Sequence, residues 1–324
     1  MLLSIVSTLY RSAVHLEEFY GRVSRAAADV SEDYEIVLVN DGSPDRSLEI
    51  ALDLFNRDEH VRIIDLSRNF GHHKAMMTGL AHARGDLVFL LDSDLEEEPE
   101  LLPRFLETLR AAEADVVYGV QAERRGGRVE RITGWLFFKV FNLLSDSSIP
   151  TNLVTARLMT KRYVSALVAH RERETMIGGL WAITGFRQVP LSVTKGSRSR
   201  STYGIAHKLA ILVNSVTSFS SAPLIFIFYM GTTIVCVASL AAGYLIVRRL
   251  FFGELLAGWA SLIVSVWLLG GLTLFSLGII GIYLSKVFLE TKQRPYTIVR
   301  DIHERIIEPR TAADASAGGQ LLRR

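Results

Sequence analysis

The chain has 324 residues, with 36 Lys+Arg against 34 Asp+Glu for a formal charge of +2. Its 49 % hydrophobic content beside 22 % charged residues, with a mean hydropathy of +0.25, excludes a disordered chain, a disulfide scaffold and an entirely soluble globule. The near-balanced charge also argues against a nucleic-acid binder, which carries a strong basic excess.

From the N-terminus, Leu2–Leu9 is an apolar, β-branched run with no basic stretch ahead of it, so it reads as a strand of the fold rather than a signal peptide. Glu35–Asn40, Val61–Leu66, Leu87–Asp92 and Asp115–Val120 are four more candidate strands. Between them, Ala13–Val30, Pro44–Arg57, His72–Arg84 and Pro99–Ala112 carry helical patterning, two of them opened by proline. Strand–helix alternation predicts a mainly parallel sheet covered by helices, and ligands of such sheets bind beyond the carboxyl ends of the strands.

Those ends are where the polar residues gather. Asn40-Asp41-Gly42-Ser43 follows the second strand, Ser67-Arg68-Asn69-Phe70-Gly71 the third, and Asp92-Ser93-Asp94-Leu95-Glu96 the fourth. One polar loop is ordinary; three in succession at strand ends point to a site. Asp92 and Asp94, two residues apart, can face a hard divalent cation together with diphosphate oxygens, because Mg²⁺ takes one or two carboxylates plus substrate phosphates. Such a cation would stabilise a leaving nucleotide.

Further along, Gly134–Leu144 and Ile205–Phe219 are mostly apolar and read as helices at the headgroup level of a membrane, with buried core helices as the alternative. Leu224–Val247 and Leu255–Ser285 contain no charged residue and are each long enough to span a bilayer. The short link between them makes a hairpin. Lys195, Arg198, Arg200 and Lys208 precede it and Lys286, Lys292, Arg294 and Arg300 follow it, against only Arg248 and Arg249 in the link. The positive-inside rule then puts both flanks in the cytoplasm. The single cysteine, Cys236, lies inside the first span and makes no intrachain disulfide.

The expected organisation is a cytosolic domain at 1–204 with an interfacial helix near 133–146, and a juxtamembrane helix at 205–222. A transmembrane hairpin at 223–286 and a cytosolic tail at 287–324, disordered at its end, complete it.

Taken in order, Tyr10, Asn40–Ser43, Ser67–Gly71, Asp92–Glu100, Arg157-Leu158-Met159 and Gly185–Val189, followed by the hairpin, resemble the polyprenol-phosphate glycosyltransferases. These are inverting enzymes of glycosyltransferase family 2, akin to dolichol-phosphate mannose synthase and bacterial undecaprenyl-phosphate sugar transferases. The resemblance covers roughly residues 1–300. It implies an α/β GT-A fold, a Rossmann-like nucleotide-diphospho-sugar transferase domain, plus the two-helix hairpin. It implies a donor that is a UDP- or GDP-sugar, a polyprenyl phosphate acceptor, Mg²⁺ or Mn²⁺ as cofactor, and the cytoplasmic face of a bacterial inner membrane. Hairpin anchors also leave room for homo-oligomers.

Residue by residue, Thr8, Tyr10, Asp41, Ser43, Arg68, Asp92 and Asp94 fall on the nucleotide-sugar side of the pattern. Asp94 matches the metal ligand, and Glu96 stands where a Gln also reaches the metal. Arg157 matches an Arg near the acceptor, and Arg124, Arg198, Arg200 and Tyr203 fall in the segments that hold the acceptor phosphate. Asp94 and Arg157 are thereby the expected catalytic pair. Thr155-Ala156 replaces an Asp-Phe pair, so a carboxylate proposed as general base is missing; Gln121 and Thr202 replace an Arg and a Lys, and His72-His73-Lys74 replaces small or acidic residues. A polyprenyl phosphate is already ionised near neutral pH and can attack without losing a proton, so the missing base fits that acceptor; Glu96 or Glu174 is the alternative carboxylate. A hydroxyl acceptor, which would need a base, and an inactive nucleotide-sugar-binding subunit are the competing functions.

Overall fold

In the computed structural model the described residues are 1–121, 152–170, 172, 177–194, 213, 217, 220–252 and 258–305. They fall into two compact units: Met1–Arg110 with Ala156–Val164 and Thr297–Arg324, and Ala111–Thr155 with Ser165–Tyr296. The expected interfacial helix near 133–146, most of the juxtamembrane segment, and Arg124, Glu174, Arg198, Arg200 and Tyr203 lie outside the described residues.

The first unit is an α/β layer structure. Strands β1 (Leu3–Leu9), β2 (Tyr34–Asn40), β3 (Val61–Leu66) and β4 (Leu87–Leu90) alternate with helices α1 (Leu16–Ala28), α2 (Ser47–Arg57) and α3 (His72–His82). A 3₁₀ turn, Pro99–Leu101, leads into α4 (Leu102–Ala111). β1 is parallel to both β2 and β4, and β2 to β3. All seven residues of β1 are buried, as a strand covered on both faces requires. The helices cover it with apolar stripes: α1 buries Leu16, Phe19, Val23, Ala26 and Ala27, recurring at helical spacing. Each large side chain so buried contributes roughly 1.5–3 kcal/mol. α3 comes closest to the sheet through Gly79, where a Cβ would stand 2.5 Å from Val6 Cγ1 and 2.8 Å from Val39 Cγ2.

Two strands absent from the sequence-based expectation join β4 and β3. β6 (Leu153–Thr160) runs antiparallel to β4, with Leu90 opposite Arg157. β8 (Val299–His303), within the segment expected to be a tail, runs antiparallel to β3 from Leu66↔Val299 to Ile63↔His303. At the amino ends of the strands, buried Arg62 and Glu35 pair at 2.6 Å, and Glu35 also accepts the Ser4 hydroxyl and the Arg84 N–H. Glu304, just past β8, bridges Arg62 and Arg84 at 2.8 and 2.7 Å. The strand after the hairpin is therefore riveted into the first unit.

The second unit contains β5 (Val116–Gln121) parallel to β7 (Gln188–Val193), with the short helix α6 (Ile177–Ile183) ahead of β7. Helix α5 (Lys161–Val168) directly follows β6. Two long helices follow: α7 (Ala222–Phe252, 31 residues) and α8 (Trp259–Thr291, 33 residues). At ~1.5 Å per residue they measure roughly 46 and 50 Å, more than the ~30 Å of a hydrocarbon core. Their most apolar stretches, Ala222–Ala241 and Ser265–Thr291, contain no buried residue among those described. Phe226, Phe228, Leu240, Trp267 and Leu274 are all outward-facing. Such exposure of large apolar side chains needs an apolar surrounding.

Candidate active site

The carboxyl ends of β1, β2, β3 and β4 carry the polar loops together, all within the first unit. Asp41, 2 % exposed, is the hub between two of them. Its Oδ1 accepts the Phe70 N–H at 2.7 Å and its Oδ2 accepts the Gly71 N–H at 3.0 Å. Burial pushes its carboxyl above the usual range, in spite of those two donors. Gly42 lets the loops approach: its φ is +57°, and a Cβ there would stand 2.5 Å from the backbone of Arg68 and of Asn69. Asn40 donates to Asp65 at 2.7 Å while its own oxygen accepts the Ser43 N–H at 3.2 Å. Ser43 in turn accepts the Arg11 N–H at 2.8 Å and donates to Asp45 at 2.6 Å.

Arg68 lies with its guanidinium 4.0 Å from the centre of the Phe70 ring, and Tyr10 is 45 % exposed at the end of β1. Exposed rings and a stacked guanidinium form flat, amphipathic surfaces suited to a planar ring. Across β1 lies the acidic loop. Ser93 donates to the Thr8 carbonyl at 2.9 Å and meets Ser12 Oγ at 2.9 Å, which fixes the loop against β1. Leu95 has φ +59°, unusual for a branched side chain, and the Glu96 N–H closes back on Asp94 Oδ1 at 2.9 Å. Strain of this kind collects at functional loops.

His72, the first residue of α3, joins the two halves. Its Nδ1 is 3.0 Å from Thr8 Oγ1 and its Nε2 is 3.3 Å from Asp92 Oδ1. Burial works against its charged form, but the hydrogen bond and charge of Asp92, with Asp41 and Asp94 behind, raise its pKa above the ordinary histidine value. Sequence reasoning assigns this residue no role, because its partners lie 64 and 20 positions away.

Arg157 on β6 is 1 % exposed, and the adjacent Ala156 N–H donates to buried Glu97 at 2.7 Å. Glu97 therefore ties the acidic loop to the strand that carries Arg157, at the position where the expected Asp-Phe pair is missing. Among the described residues no group of three or more His, Cys, Asp or Glu is arranged to hold a metal unaided. Asp94 and Glu96, the latter 7 % exposed, still fit a divalent cation that completes its shell with diphosphate and water, since Mg²⁺ needs only one or two carboxylates in that setting.

Thr8, Tyr10, Asp41, Ser43, Arg68, Asp92, Asp94, Glu96 and Arg157 thus all belong to the first unit. The model of the family described as Glycosyl transferase family 2 matches residues 4–167, which contain every one of them. The chain belongs to glycosyl transferase family 2. This family 2 glycosyltransferase has the GT-A type of α/β fold. It is 56 % identical over 303 residues to a Mycobacterium tuberculosis protein named as a glycosyltransferase, covering 94 % of this chain and 89 % of that one. It is 31 % identical over 309 residues to the bactoprenol glucosyl transferase of Shigella phage SfII, covering 94 % of this chain and 99 % of that one. A crystal structure of glucosyl-3-phosphoglycerate synthase from Mycobacterium tuberculosis with Mn²⁺ and UDP-glucose superposes with a TM-score of 0.47 at 16 % identity. That overlap covers 66 % of this chain and 77 % of the other.

Proposed function

We propose that this family 2 glycosyltransferase moves a sugar from a nucleotide-diphosphate sugar to a polyprenyl phosphate, as a membrane protein with its first unit on the cytoplasmic side of a bacterial inner membrane. The observation that carries the acceptor is the match to a bactoprenol glucosyl transferase over 94 % of this chain, a span too long to leave out the two apolar helices.

In this reading the nucleotide lies over the loops after β2 and β3. Asp41 and Gly42 shape the floor, Ser43 lines it, and Tyr10 and the Arg68–Phe70 stack offer the flat surfaces. The diphosphate lies toward Asp92, Asp94 and Glu96, where a bound Mg²⁺ or Mn²⁺ would offset the charge of the leaving group. Thr8 orients His72, and His72 holds Asp92 at the boundary between the two regions. Arg157 contributes positive charge from a buried position, where it is screened little by solvent. The acceptor phosphate oxygen attacks the anomeric carbon as the sugar–diphosphate bond breaks, inverting the centre. No proton has to leave an ionised phosphate, which agrees with Thr155 standing where a carboxylate base was expected. Arg124, Arg198, Arg200 and Tyr203 are the residues proposed to meet the lipid phosphate. The basic flanks around the hairpin support the cytoplasmic orientation.

The test is a screen of UDP- and GDP-sugars against undecaprenyl phosphate with the purified full chain, reading the lipid product by mass. The expected product is one sugar on one lipid phosphate, labile to mild acid, and its formation stops with a chelator. Asp94→Asn should lower turnover at least 10²-fold, the scale at which removal of a charge-stabilising group acts. A product stable to mild acid would identify a hydroxyl acceptor instead, and full turnover by Asp94→Asn would end the metal assignment.

A further inference from the structure

The last described strand lies against the nucleotide loops. β8 begins eight residues after α8 ends, and its Arg300 reaches the carboxyl end of β3. Arg300 Nη2 donates to the Ser67 carbonyl at 2.8 Å, and Nη1 stands 3.4 Å from Asp65 Oδ2. The Ser67 N–H donates to the Ile298 carbonyl at 2.9 Å. Both backbone polar groups of Ser67, the first residue of the 67–71 loop, are thus held by the segment after the hairpin. The far end of the loop is held by Asp41 through Phe70 and Gly71. Between the two anchors lies the Arg68–Phe70 stack.

The same guanidinium reaches the neighbouring loop through a relay. Asp65, with its side chain 4 % exposed, takes Arg300 on one oxygen and Asn40 on the other at 2.7 Å. Asn40 then holds the Ser43 N–H. Arg300 is therefore joined by hydrogen bonds to both loops assigned to the nucleotide.

We propose that Arg300 is a positioning residue for the donor nucleotide, so that the strand following the membrane hairpin is a working part of nucleotide recognition. This rests on the reading of the 40–43 and 67–71 loops as the nucleotide site. β8 does not need Arg300 to dock. Its ladder with β3, the Thr297–Thr78 hydroxyl contact at 2.8 Å, Glu304 on Arg62 and Arg84, and Arg305 on the Phe55 and Asn56 carbonyls at 3.1 Å all hold it independently. Arg305 gives the matched control, since it fastens the same segment but touches neither loop.

The experiment compares the full chain with Arg300→Ala, Arg300→Lys and Arg305→Ala, by calorimetric titration with UDP and with GDP and by steady-state kinetics. Wild type binds one of the two nucleotides. Arg300→Ala weakens that binding, and raises KM for the matching nucleotide sugar, about tenfold, the scale of a lost charge-assisted hydrogen bond. KM for the lipid phosphate and kcat stay within twofold. Arg300→Lys recovers part of the loss, because a lysine keeps the charge near Asp65 but lacks the fork that also reaches Ser67. Arg305→Ala lowers the thermal midpoint and leaves nucleotide affinity within twofold. Unchanged binding by Arg300→Ala, or an equal loss in Arg305→Ala, overturns the proposal alone. A wild type that binds neither nucleotide overturns it together with the donor reading.

Discussion

Asp41 and Gly42 act on the 67–71 loop from adjacent positions, one by attraction and the other by making room. The carboxylate gathers the Phe70 and Gly71 N–H groups, and the missing side chain beside it lets the Arg68 backbone come into contact. Gly42→Ala should therefore strain φ and push the loops apart, costing about 1–3 kcal/mol in denaturant unfolding and weakening nucleotide binding with it. Ser43 and Ser47 act on Asp45 in a different way: with the Ala13 N–H they outweigh the effect of partial burial and hold its carboxyl at about 2. A carboxyl depressed in the folded state stabilises above its unfolded pKa and loses that contribution as pH falls through the folded value. The stability gap between wild type and Asp45→Asn should be full at pH 6 and close between about pH 4 and 2; because the side chain is exposed, the gap is small. The carboxylates of the candidate site were legible in the sequence, since Asp41, Asp92 and Asp94 each sit one to four residues past an apolar run. His72 was not, because what gives it meaning is contact with Thr8 and Asp92 across the sheet, and adjacency to His73 says nothing of that.

At the scale of elements, the strands easiest to recognise are those whose burial on both faces leaves an unbroken apolar run, such as Ile36–Val39 of β2 and the whole of β4. Those that escaped recognition violate that pattern for physical reasons. β6 carries a buried arginine in mid-strand. β7 contains Pro190, which a strand tolerates at a sheet edge, where β7 lies. β8 reads Val-Arg-Asp-Ile-His and lies at an edge beside β3, where charge is favoured because it discourages pairing with other chains. The two long helices were the easiest to read: α7 runs from two residues before to five residues beyond the expected Leu224–Val247, and α8 starts four residues inside the expected Leu255 and runs six beyond Ser285. If α7 crosses a membrane, its exposed Val237 and Leu240 face lipid. Replacing both by lysine should cost roughly 2.5–3.5 kcal/mol each near the bilayer centre. Cell fractionation after alkaline washing should then find the variant released from the membrane, while wild type stays with it.

At the scale of the whole chain, the two units are interleaved in sequence: the first takes three separate segments and the second the two between them. The alternation visible in residues 1–120 foretold the fold class but not this path, because a five-residue edge strand after two apolar helices has no local signal stronger than a polar tail. The path has a consequence for how the protein is made. Arg300 and Ser67 are 233 positions apart, so at ~5–20 residues per second the ribosome delivers the antiparallel edge partner of β3 roughly 12–47 s after β3 itself. Throughout that interval the edge of β3 is open and the 67–71 loop has only one of its two anchors. The segment that closes the edge emerges only after both apolar helices have been synthesised. If the proposed function holds, completion of the donor site is timed to follow the hairpin, and a nascent chain cannot assemble its finished nucleotide site before its proposed anchor exists.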